Sequence, residues 1–257
     1  MKRIFLLLTL SFAFFAINAQ EATEVPSVDE ILKTYFENTG GVDKWKALKN
    51  TRVEGKMSQG GMEFPGIIYG QRPNKQRLEI DIQGKQMIQA YDGETAWWIN
   101  PFMGGTDAQP MPAEMAEEMT SATFEDAFID YKTKGHTVEF LGEKEVDGVK
   151  CYELKLTKKE GEESFFYFDP EYMVPIMQKT LIKTGPSEGQ ATETYLSEYE
   201  EVGDFIIPHY METRVNGVAQ FSITITKMEF NLDLKDEMFA FPKKEIKETE
   251  ETKEVKN

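Results

Sequence analysis

Alternation with a period of two dominates this chain. In RLEIDIQ, Leu78, Ile80 and Ile82 point one way while Arg77, Glu79 and Asp81 point the other. That is the pattern of a strand in a sheet with one wet face. Such runs follow one another. TRVEGKMSQ, MEFPGIIYGQ, QRLEIDIQ, KQMIQAYD and TAWWIN make a first series from Thr51. TVEFLGEKEV, VKCYELKLTKK, ESFFYFDP, VPIMQKTLIKT, ATETYLSEYEEV, IIPHYMETRV and AQFSITITKMEFN make a second from Thr137. Turn residues separate the runs. Asp147-Gly148 and Asn216-Gly217 are the dipeptides of hairpin turns that need positive φ at both central positions. Strand after strand with short links predicts an antiparallel meander, either a sandwich or a barrel-like curved sheet, and excludes a βαβ design.

Two stretches break the alternation. SVDEILKTYFENTGG opens with a capping box, Ser27 with Glu30 three residues on. Val28, Ile31, Leu32, Tyr35 and Phe36 then follow helical spacing, and Gly40-Gly41 stops the helix. VDKWKAL adds a short turn that tucks Trp45 and Leu48 inward. Between the two strand series lies QPMPAEMAEEMTSATFEDAFIDYKTKG, with Met111, Met115 and Met119 four apart and Phe124 and Phe128 repeating the spacing. This predicts an insert of one or two helices with a Met and Phe face. The fold class is therefore mainly β with helical elements (α+β).

The ends of the chain are of another kind. Lys2 and Arg3 precede an apolar run over residues 4–15, and Ile17-Asn18-Ala19 ends in a small residue. Residues 1–20 read as a secretory signal peptide, too short in its apolar part for a membrane span. No cysteine follows the cleavage position, so no lipid-anchored N-terminus is expected. Residues 21–243 make one domain, with no later apolar run long enough to span a membrane. Residues 244–257, almost all charged, read as a disordered tail. The only cysteine is Cys151, so the fold is held by its core without an internal disulfide. A net charge of −16 argues against nucleic acid as a partner.

A search for catalytic patterns finds none. The two histidines, His136 and His209, have no His or Cys at a metal-ligand spacing. There is no Gly-x-Ser-x-Gly elbow, no His-Glu-x-x-His, no phosphate loop and no dinucleotide fingerprint. The reading is a non-enzyme without metal or cofactor. What the chain has instead is apolar surplus: 18 Phe, 13 Met, 10 Tyr and 3 Trp. FFYF and AWWI put large groups on both faces of their strands. One face is the sheet's own core, and the other needs a cover, either the helices or a ligand. Methionine is flexible and adapts to irregular apolar shapes, so a Met-lined helix suits a lid. Of the paired tryptophans, Trp97 shares its face with Ile99, which favours it for the inner side and leaves Trp98 at a covered or rim surface.

Two motifs in order carry a family resemblance. QRPNK at 71–75 followed by YDGETAWWINPF at 91–102 resembles the LolA-like family of periplasmic outer-membrane lipoprotein carriers, also called lipoprotein-sorting proteins. DEMFAFPKK at 236–244 resembles its closing strand. The family has a lysine where this chain has Gln71, its third strand is more apolar than KQRLEID, and its lid is less rich in Met and acid. The resemblance implies a strongly curved, incompletely closed antiparallel β-barrel, with helices as plug or lid over an apolar cavity. It implies that this cavity receives acyl chains of lipoproteins or another lipid. Arg72 would stand at the rim and hydrogen-bond lid helices. The cavity and lid residues so implied are Arg72, Leu78, Ile80, Ile82, Trp97, Trp98, Ile99, Phe102, Met111, Met115, Met119 and Phe124. A monomeric carrier in the periplasm, passing cargo from an inner-membrane donor to an outer-membrane acceptor, is the function implied. A periplasmic sensor or regulator that binds lipoprotein or a signalling partner through the same fold is the alternative.

Overall fold

The structure, a computed structural model, describes residues 25–103, 105–121, 123–182 and 188–242. The expected signal peptide and charged tail lie outside the described residues. The first helix, α1, is Val28–Asn38. Its capping box is formed, with Ser27 Oγ accepting from the Glu30 N–H and the Glu30 carboxylate accepting from the Ser27 N–H. Ile31, Leu32, Tyr35 and Phe36 are its buried stripe, as the spacing requires. A second short helix, α2, is Val42–Ala47.

Every alternating run read as a strand is one, whereas DEMFAFPKK, which resembles a closing strand, begins with a 3-10 turn at Asp236–Met238 and adds no strand among its described residues. The first series becomes β1 (Asn50–Gln59), β2 (Met62–Gln71), β3 (Lys75–Ile82), β4 (Lys85–Tyr91) and β5 (Ala96–Ile99). A two-residue strand, β6 (Gln109–Pro110), pairs with β5. The second series becomes β7 (Thr137–Val146), β8 (Val149–Thr157), β9 (Glu163–Phe168), β10 (Pro175–Leu181), β11 (Ala191–Val202), β12 (Phe205–Val215) and β13 (Val218–Phe230). Asp147 and Gly148 have φ of 46° and 86°, and Asn216 and Gly217 of 52° and 73°, the left-handed pairs that two-residue hairpins need.

All pairs are antiparallel, and the order is β6-β5-β4-β3-β2-β1-β13-β12-β11-β10-β9-β8-β7. First and last strands meet in the middle, and the two edges are β6 and β7. The strongly curved barrel that the family resemblance implies is corrected here: this is one open sheet of thirteen strands, neither closed nor strongly curled. Closure needs edge strands that hydrogen-bond to each other. Here the edges are joined by chain instead. The connection from β6 to β7 crosses the sheet and carries α3 (Ala113–Ser121). Among the described residues of this connection, no second helix follows α3. Residues 127–135 form turns, and Asp130 and Gly135 have φ of 52° and 80°, outside the helical region. Phe128 and Ile129 from these turns are buried beside α1.

Candidate functional site

Cross-strand pairing decides which side chains share a face. Trp98 pairs with Gln89, and Gln89 with Leu78. Trp98, Tyr91, Leu78, Ile80 and Ile82 therefore share one face, called here the covered face. Across β2, β1, β13 and β12 the same face carries Ile68, Val53, Ile225, Met211 and Ile207. Three elements lie over it. At the β3–β5 end, Met111 and Met119 pack with Tyr91 and Trp98. In the centre, Leu48, Trp45 and Phe124 pack with Phe205 and Ile207. At the β7–β10 end, α1 with Phe128 and Ile129 covers Leu154, Leu156, Phe166 and Phe168.

Trp97 and Ile99 belong to the opposite face, with Ile88 and Ala90. Trp98, not Trp97, thus faces the helices, which reverses the preference read from the sequence. Sharing a side with Ile99 was no guide, because both sides are covered at this end. The chain returns after β13, through a 3-10 turn at Asp236–Met238, to lie against Trp97. The Trp97 indole donates to the Phe239 carbonyl at 2.7 Å, and the Phe241 ring meets it edge-on at 6.2 Å. Arg77, read as wet, donates to the Met238 carbonyl and lies 5.6 Å from the Trp97 ring centre.

The other expected residues divide. Met111 precedes α3 rather than lying on it, so the four-residue spacing does not make one helical stripe. Met111 and Met119 are buried while Met115 is 41% exposed. Phe102 is also exposed, at the corner after Asn100-Pro101, with the Lys85 ammonium 5.3 Å from its ring centre. The Gln76 side chain donates to the Met119 carbonyl and so holds the last turn of α3 to β3, a satisfied helix end.

Arg72 stands at the end of β2, next to a cis bond to Pro73. Its guanidinium uses several of its fixed donors. Nε donates to the Leu48 carbonyl at 2.6 Å and Nη2 to the Trp45 carbonyl at 3.0 Å, both at the end of α2. Nη1 donates to the Glu125 carboxylate at 2.5 Å, and the Phe124 ring centre lies 5.4 Å from the guanidinium carbon. Phe124 reaches this place because Gly70 lies beneath it: a Cβ there would come within 3.1 Å of the ring. One cation thus ties β2, α2 and the segment after α3.

Glu125 and Asp126 were not singled out in the sequence. FEDAF offered a signal, two acids inside an apolar segment, which need partners once buried. Glu125 also accepts from Lys134. Burial raises its pKa, and Lys134 and Arg72 more than offset this and hold the carboxyl below its ordinary value. Asp126 faces the other way. It accepts from the Tyr35 hydroxyl at 2.7 Å and the Phe128 N–H at 2.8 Å, and burial pushes its pKa up. A cavity of about 540 Å³ opens beside this junction, lined by Arg72, Glu125, Lys134, His136 and Leu156 among others. Among the described residues, no group of His, Cys, Asp and Glu could hold a metal ion, and no helix is long and apolar enough to cross a membrane. Cys151 is fully buried on the opposite face with Val146, Tyr167 and Met177, and burial pushes its thiol up to about 11, so it packs rather than reacts.

No known family profile matches the chain, and no curated protein matches it. Solved structures do. A DUF1329 family protein from Desulfovibrio piger aligns with a TM-score of 0.54 at 12% identity, over 81% of this chain and 96% of its own. A candidate outer membrane lipoprotein-sorting protein domain from Vibrio parahaemolyticus has a TM-score of 0.54 at 12% identity, over 82% and 94%. A LolA superfamily protein from Nitrosomonas europaea has a TM-score of 0.52 at 11% identity, over 84% and 98%. Likeness at this identity is one of fold: the chain shares its overall fold with these LolA superfamily, lipoprotein-sorting domain and DUF1329 structures.

Proposed function

We propose that this chain is a periplasmic carrier that holds the acyl chains of outer-membrane lipoproteins, or a related lipid, between the covered face and α3. It acts as a monomer, between an inner-membrane donor and an outer-membrane acceptor. The observation that carries the reading is the roof over Trp98. Two methionines, Met111 and Met119, close that end of an apolar face. The cover is fastened by polar contacts at its ends, Gln76 to the Met119 carbonyl and Arg72 to Glu125. Such a cover opens by breaking a few hydrogen bonds, and flexible thioethers re-pack around an irregular chain. A carrier needs this, because each methylene kept from water is worth about 0.8 kcal/mol. The fold shared with a candidate lipoprotein-sorting domain supports the same reading.

The test uses the chain without residues 1–20 and a naphthylamine dye that fluoresces in apolar surroundings. The expected result is dye binding reversed by a triacylated lipopeptide and untouched by the same peptide without acyl chains. Dye binding that no acylated ligand displaces would remove the proposal.

A further inference from the structure

The sheet is not continuous along its length. β11 pairs with β12 over its whole span, from Thr192 with Val215 to Val202 with Phe205. With β10 it pairs only from Ala191 to Tyr195. Beyond Tyr195, residues 196–202 have no Cα partner in β10, which bends toward β9 through the irregularity between Pro175 and Met177. β12 separates from β13 at the same level, its last pair being Tyr210 with Thr224. The upper part of the β11–β12 hairpin is thus a two-stranded ribbon peeled from both neighbours.

The N-terminal helices cause this. The ribbon tip grips the junction between α1 and α2: the Ile206 N–H donates to the Thr39 carbonyl, and Lys44 pairs with Asp204 at 2.8 Å. Gly40, at φ +115°, permits the approach, since a Cβ there would lie 2.3 Å from the Asp204 carbonyl oxygen. The bend is taken at Glu198, whose φ of 54° is unusual within a strand.

The peeling opens a rift between β10 and β11. It encloses about 610 Å³ between Leu196 and Tyr199 on one side and Tyr172, Val174 and Ile176 on the other. Along the rift, residues 196–202 have no β10 strand partner, and the Tyr199 hydroxyl reaches across at one end to donate to the Pro175 carbonyl at 2.5 Å. An unpaired strand edge beside an apolar groove is a template for an added strand. The charges are of one sign. Asp169 and Glu171 line the rift and, among the described residues, no Lys or Arg does; β11 itself carries exposed Glu198, Glu200 and Glu201, with Glu200 3.9 Å from His209. The C-terminal end of α1, at Asn38, adds the negative pole of a helix.

We propose that the rift is a docking site for an extended segment of a partner protein, with alternating basic and apolar residues. The segment adds as a strand to residues 196–202 of β11, sets an apolar side chain between Tyr172 and Ile176, and turns its Lys or Arg toward Asp169 and Glu171. This site lies at the α1 end of the sheet, apart from the Met111 and Met119 roof, and does not depend on the carrier reading.

The probe is the capped peptide KVKLKV, titrated into the chain lacking residues 1–20 and followed by amide NMR. Two controls are EVELEV and a peptide with proline in place of the central lysine. The expected result is saturable shifts confined to residues 172–176 and 196–201, with slowed amide exchange along 196–202. EVELEV should bind at least about ten-fold more weakly, a loss of about 1.4 kcal/mol, and the proline peptide should lose the exchange protection. Glu171→Lys, at an exposed turn, should weaken KVKLKV about as much without altering the fold. Shifts under α3 instead, equal binding of all three peptides, or the same shifts from monomeric dodecylphosphocholine would each overturn the proposal.

Discussion

The two ends of the covered face solve one problem differently. At the β7–β10 end, α1 closes an aromatic core. Tyr35, Phe128, Phe166 and Phe168 meet at ring-centre distances of 4.6 to 6.4 Å, mostly edge-on. At the β3–β5 end, Met111 and Met119 cover Trp98 and Tyr91, and no ring–ring contact forms among them. Rigid rings in fixed geometry specify one packing, whereas thioethers accept several. One end is built to stay shut and the other to rearrange. The junction at Arg72, Glu125 and Asp126 lies between them and anchors the crossing segment to both.

The sharpest way to break this contrast is to cut both ends alike. Phe168→Ala should cost about 3–5 kcal/mol in urea unfolding, because it removes a fully buried ring from a packed core. Met119→Ala should cost less, about 2 kcal/mol, since a pliable roof collapses into the space. Equal losses would mean that the Met end is as rigid as the other. Arg72→Leu comes next. It takes the guanidinium donor from the Leu48 carbonyl and one of two donors each from the Trp45 carbonyl and Glu125, which keep the Leu48 N–H and Lys134, at a cost of about 2 kcal/mol at this partly exposed site. Dye held under α3 should then leave faster than from the wild type. Unchanged release would separate Arg72 from the cover.

The two neighbouring acids should answer pH with opposite signs. Glu125 has a lowered folded pKa, so its contribution is present at neutral pH and is lost as pH falls through that value, below 4.5. Glu125→Gln should therefore cost about 1–2 kcal/mol at pH 7 and little at pH 3. Asp126 has a raised folded pKa, so its contribution is fully present below 3.8 and is lost as pH rises through the folded value. Asp126→Asn, whose amide oxygen keeps the Phe128 N–H while its NH2 faces the Tyr35 hydroxyl oxygen, should gain on the wild type as pH rises above 3.8. Parallel pH curves for the two variants would show that the acids act alike. Smallest is Met115→Gln: an exposed residue on α3 should shift stability by less than about 0.5 kcal/mol.

Much of this molecule was legible in its residues. Each alternating run from Thr51 to Phe230 is a strand, and the Ser27–Glu30 box starts α1 where the pattern says. These signals are local: a period, a cap and a turn dipeptide act within a few residues, and no distant part of the chain contradicts them. Phe124 and Phe128 show the limit, since their helical spacing is answered by turns once each ring finds a separate cluster. What tertiary structure alone decided is which side of each strand is inside. Alternation says that Trp97 and Trp98 oppose each other, and it is silent on which meets α3. That depended on a contact spanning 142 positions, where the chain end brings the Phe239 carbonyl back to Trp97. The Arg72 junction and the rift beside β11 have the same origin. They arise where segments far apart in sequence compete for one surface, and local periodicity carries no record of that competition.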